Sequence, residues 1–133
     1  RITELQTAVG VAQLDRAPGF ISRKNAIYNQ YTLLLKETKG VHLFEFNKEA
    51  EVNIHRVIIM VENAKDLIGH LTSKGIGARR LFMPMHSQPI YRSEIELPIT
   101  EKLYSHGVCL PSGPSLSSED IECVCEAISS FYR

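Results

Sequence analysis

The chain has 133 residues, 44% hydrophobic and 23% charged, with Lys+Arg and Asp+Glu both at 15 and a formal net charge of +0. That length and apolar fraction suit one folded domain and exclude a disordered tail, while the balanced charge removes any general electrostatic drive towards nucleic acid or an anionic membrane. The longest apolar run, Val57 to Val61, falls far short of the ~20 residues of a bilayer-spanning helix, and three cysteines without an apolar leader point to a reducing, cytoplasmic setting.

The chain opens on Arg1 instead of Met and enters a helical pattern at once, as a piece of a longer protein would. Ile2, Leu5, Ala8, Val9 and Ala12 lie on one helical face. Ala17-Pro18-Gly19 reads as a turn, with Pro18 suited to the first turn of a new helix because its missing N–H is not needed there. Phe20, Ile27, Tyr31, Leu34 and Leu35 trace the face of that second, longer helix, which Gly40 ends. The β-branched and aromatic runs Val41 to Phe46 and Val52 to Val61 predict two strands. The second turns apolar on both faces, as a central strand does.

Asn63 with Asp66 has the form of a helix N-cap, Leu67, Ile68 and Leu71 supply a buried face, and Gly75 stops that helix. Ile76 to Phe82 is a further strand, and Met83 to Pro98, with three prolines and no period, is mostly loop. Ile99 to Ser105 predicts a short helix and Val108 to Leu110 a short strand. Ser117 with Asp120 opens a last helix carrying the stripe Ile121, Val124, Cys125, Ile128, Phe131 and Tyr132. The expected architecture is α/β: a small mixed sheet packed with helices and preceded by two helices.

Most residues with chemical potential have a structural explanation. Cys123 and Cys125 point in different directions on a helix and do not chelate a metal together, and His42, His55 and His70 have no partner at ligand spacing. Gly75-Ile76-Gly77 follows a helix and lacks the third glycine of a phosphate loop. No Gly-x-Ser-x-Gly or His-Glu-x-x-His occurs. The aromatics do not interleave with a basic stripe, so nucleic acid is not an expected partner. One constellation stands out. Arg79, Arg80, His86, Gln88 and Tyr91 gather at a strand end and in the proline-bounded loop after it, a set suited to an anionic, hydroxyl-rich ligand.

That segment, Gly75-Ile76-Gly77-Ala78-Arg79 followed by Phe82-Met83-Pro84-Met85-His86-Ser87-Gln88-Pro89-Ile90-Tyr91, resembles the small-domain signature of the DegT-type sugar aminotransferases. These are fold-type-I pyridoxal-phosphate enzymes that aminate keto groups on nucleotide-linked sugars. The loop is most similar to the perosamine-synthase-like branch. Further landmarks agree in order and spacing: Arg1 to Gln6 with Gly10 to Leu14, Arg23, Ala26 and Tyr31, Leu97 to Leu103, Leu110-Pro111, and Leu116 to Ile121.

The resemblance covers essentially the whole chain. It implies the C-terminal part of such an enzyme, with residues 1–40 a helical lead-in and 41–133 the α/β small domain. It implies an N-terminal cofactor-binding domain of the same enzyme as partner, assembly as a homodimer, and a nucleotide-sugar substrate held by Arg79, His86 and Gln88. Arg1 matches the end of an Asn-aromatic-Arg segment near the cofactor phosphate. The Schiff-base lysine belongs to the preceding domain and none of the lysines here matches its motif, so the chain alone is expected to bind no pyridoxal phosphate and not to transaminate. Arg80 stands where relatives usually have proline and Arg56 where many have an aromatic residue. The competing expectation is a stand-alone, non-catalytic module that dimerises or binds a sugar nucleotide.

Overall fold

The computed structural model describes residues 2–47 and 49–133. Thr3 opens the first helix with a reciprocal cap: its Oγ1 accepts from the Gln6 N–H at 3.3 Å, and Gln6 Oε1 accepts from the Thr3 N–H at 2.9 Å. Helix α1 then runs without interruption over Glu4–Leu35, 32 residues. The turn expected at Ala17-Pro18-Gly19, and with it the pair of helices, is therefore replaced by one helix with Pro18 inside it. Pro18 deprives the Leu14 carbonyl of its intrahelical partner, but this part of α1 lies at the surface, where water takes the bond. Glycine is also not used to turn here: among the described residues only Gly40 and Gly75 have positive φ.

The two halves of α1 differ in surroundings. Ile27, Tyr31 and Leu35, four residues apart, are buried in the core, whereas Leu5, Val9 and Leu14 are exposed. Polar ties fix the buried half. Tyr31 Oη donates to the Pro111 carbonyl at 2.9 Å, Tyr28 Oη to the Phe44 carbonyl at 3.2 Å, and the Arg23 guanidinium to the Leu116 carbonyl.

Strands β1 (His42–Leu43), β2 (Val57–Met60), β3 (Arg79–Arg80) and β4 (Gly107–Leu110) form one sheet in the order β1-β2-β4-β3. All three pairings are antiparallel, which corrects the expected mixed sheet. The reason lies in the connections. Helix α2 (Ala64–Ser73) carries the chain from β2 to β3 in the same direction, leaving a gap one strand wide; β4 fills it running the opposite way, so no two neighbours are parallel. The expected strands shorten to their paired parts. After Leu43 the chain leaves towards a turn in which Asn47 Oδ1 accepts from the Glu49 N–H, and β3 keeps only the two residues that pair with Cys109 and Val108. Strand β2 is interior, as its composition indicates.

Asn63 occupies the N-cap position of α2 without a side-chain capping bond. Its helix stops as expected at Gly75 (φ 76°): the Gly75 and Ile76 N–H groups donate to the Thr72 and Leu71 carbonyls, a Schellman closure. A single 3-10 turn at Met85–Ser87 interrupts the loop that leads to α3 (Pro98–His106). Helix α4 (Ser118–Phe131) begins with Ser117 and Asp120 capping each other, as expected.

Val57 and Ile59 lie opposite Leu110 and Val108, so these four share one face of the sheet. They pack with Ile27, Tyr31 and Leu35 of α1, Leu67 and Leu71 of α2, and Ile121, Val124 and Ile128 of α4 in a single core. The other face carries Ile58, Met60, Gly107, Cys109 and Arg79. Gly107 is required there, because a Cβ would stand 2.5 Å from the Leu103 carbonyl oxygen and run into the Leu81 side chain.

Candidate functional site

Arg56 stands immediately before β2, and the alternation of that strand carried back by one residue puts it on the face that Ile58, Cys109 and Arg79 share, with the two arginines on either side of β4. Lys24 reaches the same place from α1. It lies three and seven residues before the buried Ile27 and Tyr31, on the side of the helix that faces the core. Its Nζ donates to the His55 carbonyl at 2.7 Å. Together Lys24, His55, Arg56 and Arg79 ring a cavity of about 390 Å³, floored by Cys109 and buried Ser112.

The site is electrostatically one-sided. No carboxylate lines it, and the two ion pairs among the described residues, His86 with Glu101 and His106 with Glu62, lie elsewhere. Partial burial, with the Arg56 charge adding to it, holds the Lys24 ammonium below the ordinary lysine range. Arg56 Nε is buried without a hydrogen-bond partner, and the guanidinium carbon lies 5.7 Å from the Phe82 ring centroid. Burial pushes the Cys109 thiol up, against the pull of Arg56 and Arg79.

His86 belongs to a second cavity of about 560 Å³, lined also by Pro84, Ser87, Glu101, Lys102 and Tyr104. Its Nε2 is 3.2 Å from Glu101 Oε1, and Arg80 stacks its guanidinium 5.8 Å over the Tyr104 ring. Gln88 turns back on its own loop, Nε2 to Met85 Sδ at 3.5 Å. Arg79 and His86, expected in one site, thus line different cavities of this chain, and Gln88 lines neither. Arg1 lies outside the described residues. Lys24 and Arg56 were not expected in a site; their signals are a lysine continuing the buried stripe of α1 and an arginine in register with the strand alternation. His55 precedes β2 instead of lying within a strand, and His70 ties α2 to α4 through the Ala127 carbonyl.

The described residues do not by themselves fit pyridoxal phosphate. Of their lysines, Lys24 alone is not fully at the surface, and its ammonium is engaged with the His55 carbonyl among other cations. No group of three or more His, Cys, Asp or Glu among the described residues could hold a metal, and no helix of the described residues is long and apolar enough to cross a membrane.

Comparison with known proteins connects this architecture to a family. The profile of the DegT/DnrJ/EryC1/StrS aminotransferase family matches residues 1–129. The chain is 36% identical to the GDP-perosamine synthase of Escherichia coli O157:H7 over 99% of its own length and 37% of that protein. It is 29% identical to the dTDP-4-dehydro-2,3,6-trideoxy-D-glucose 4-aminotransferase of Saccharopolyspora spinosa, over 92% of this chain and 33% of the relative. Among solved structures, DesV from S. venezuelae, determined in complex with a ketimine intermediate, superimposes with a TM-score of 0.92 at 25% identity, over 100% of this chain and 37% of that one. An aminotransferase from Brucella abortus gives 0.87 at 26% identity, over 99% and 36%. The chain spans about a third of the length of these relatives, and the expected α/β fold and perosamine-synthase-like resemblance are both borne out.

Proposed function

The chain belongs to the DegT/DnrJ/EryC1/StrS aminotransferase family, and on that premise we propose that it is the C-terminal part of a pyridoxal-phosphate-dependent enzyme that aminates a keto group on a nucleotide-linked sugar. The observation that carries this reading is the continuous family match over residues 1–129, together with the 36% identity to a GDP-perosamine synthase. The cofactor supplies the electron sink. We place it in the part of the enzyme that corresponds to the rest of the relatives' length, with Arg1 assigned to its phosphate by the family resemblance alone.

In this reading residues 1–40 lead from the cofactor-binding part into the small domain of residues 41–133, with the second half of α1 as anchor. The first half of α1 exposes Leu5, Val9 and Leu14, and the loop before α3 exposes Ile90, Tyr91 and Ile95. Such surface favours cover by protein, which supports contact with the cofactor-binding domain and with a second subunit of a dimer. Arg79 faces a carboxylate or phosphate of the substrates, while His86 and Gln88 hydrogen-bond hydroxyl groups. The two separate cavities then serve different parts of the bound molecules.

The test is steady-state transamination by the complete enzyme with Arg79→Ala. The apparent KM for one substrate rises while the other stays; an unchanged pair of KM values removes Arg79 from the site. His86→Ala and Gln88→Ala, assayed with sugars lacking single hydroxyls, test the other two positions.

A further inference from the structure

Helix α3 contributes no buried residue to the core, yet it stands against the loop that carries His86, and one polar pair joins them: His86 Nε2 lies 3.2 Å from Glu101 Oε1. Backbone bonds hold both sides of that pair. On the loop side, Pro84 and the 3-10 turn Met85–Ser87 aim His86; the Ser87 N–H donates to the Pro84 carbonyl at 3.1 Å, and the Ser93 N–H to the His86 carbonyl at 3.2 Å. On the helix side, Pro98 takes the first turn, where its missing N–H is not needed, and the Glu101 N–H donates to the Leu97 carbonyl at 3.0 Å. The His86 side chain is 13% exposed and that of Glu101 58%, so the ring is enclosed while its partner stays hydrated.

This pairing decides which way the imidazole works. An ionised carboxylate only accepts hydrogen bonds, so Nε2 carries the proton and, in the neutral ring, Nδ1 is left as an acceptor. Nδ1 has no hydrogen-bond partner among the described residues and is not one of the polar atoms that are buried without a partner. It is therefore accessible, on a residue that lines a cavity. Lys102, the other charge in that cavity, has donors only and cannot replace Glu101 against Nε2–H. We infer that Glu101 is a positioning residue: it fixes the orientation of His86 and the tautomer with Nδ1 unprotonated, so that His86 meets the sugar as an acceptor and selects a hydroxyl that donates. An ether or carbonyl oxygen in the same place offers Nδ1 no proton. This role rests on the placing of His86 at a sugar hydroxyl proposed above, and adds to it the direction of the hydrogen bond and the residue that sets it.

Nitrogen-15 NMR of the full chain reads the tautomer. At about pH 8.5, above the ordinary histidine range, the His86 ring carries its proton on Nε2, and the Nε2–H signal of the parent chain is lost to water exchange in Glu101→Ala. In the complete enzyme with a GDP-linked keto sugar, Glu101→Ala raises the KM for the sugar about threefold or more and leaves the KM for the amino donor in place. Glu101→Gln, which keeps an acceptor oxygen, recovers most of the loss. In a His86→Ala background Glu101→Ala adds less than about twofold, whereas a residue that merely held α3 in place would act in both backgrounds. Replacing the contacted hydroxyl by fluorine, which cannot donate, costs as much as removing it. Thermal melts confirm that the variants fold. A protonated Nδ1 in the parent chain, the same loss with or without His86, or a fluoro sugar bound as well as the hydroxyl one would each overturn the proposal. A raised sugar KM in His86→Ala beside an unchanged one in Glu101→Ala refutes the role of Glu101 alone; an unchanged KM in His86→Ala removes His86 from the sugar and Glu101 with it.

Discussion

The two halves of α1 allow one substitution to be compared at two places on the same helix. Leu35 is 1% exposed and packs in the core with Ile27 and Tyr31, while Leu5 is 77% exposed. Leu→Ala changes intrinsic helix propensity slightly and equally at both sites; the difference is therefore tertiary. At Leu35 the lost side chain leaves a cavity among fully buried neighbours, for which Leu→Ala costs about 3 kcal/mol, the lower part of the usual range because Leu35 is the last helical residue and the site can partly close. At about 2.1 cal/mol/K per residue, unfolding this chain carries an entropy near 0.28 kcal/mol/K, so Leu35→Ala lowers Tm by about 10 °C. Leu5→Ala shifts it by less than about 2 °C, within the ±0.5 kcal/mol of surface changes. Urea and thermal unfolding followed by far-ultraviolet circular dichroism measure both. Equal losses at the two positions, or a loss below about 1 kcal/mol at Leu35, would refute the division of α1 into an anchored and a free half. In the complete enzyme the reading above adds a contrast: Leu5→Ala weakens association with the cofactor-binding part while leaving this domain's melt unchanged.

Gly107→Ala drives a methyl group against the Leu103 carbonyl and Leu81; a loss of about 1–3 kcal/mol is expected in denaturant unfolding, and a neutral substitution would show that α3 is loosely held on β4. Ser117→Ala removes the cap of α4 and costs about 1 kcal/mol by the same assay. Ellman's reagent is expected to label one thiol of the native chain, the exposed Cys123, and to reach buried Cys109 and Cys125 only on unfolding; early labelling of all three would contradict the packing of β4 and α4. Burial, with Glu122 adding to it, pushes the Cys125 thiol up from 9.0 to about 12. The native state then holds a proton that the unfolded chain releases, so stability falls as pH rises from about 9 to about 12. Cys125→Ala flattens that part of the stability profile relative to the parent chain.

Much of the architecture follows from local residue order. The capping pair Ser117 and Asp120, the stop at Gly75, the apolar stripe of α4 and the β-branched run at Val57 to Met60 each act within one turn or one strand, and each forms where local chemistry places it. The signature around Arg79, His86 and Gln88 identifies the family in the same way, because a resemblance is itself a matter of residue order.

What residue order could not decide depends on neighbours far away in the chain. Ala17-Pro18-Gly19 carries the composition of a turn, yet α1 continues, because the Thr3 cap starts it, the core holds its second half and water serves the one carbonyl that Pro18 leaves free. Strand lengths were overestimated since β propensity marks residues able to pair, whereas the backbone leaves the ladder after Leu43 and Arg80 although β2 and β4 continue beyond those pairs. Parallel or antiparallel pairing was open until β4 entered the gap between β2 and β3. The cationic ring is the clearest case. Lys24, Arg56 and Arg79 are separated by dozens of residues and look like surface charges one at a time; only the folding of α1 over the sheet, and the pairing of β4 with both its neighbours, brings three like charges around one cavity.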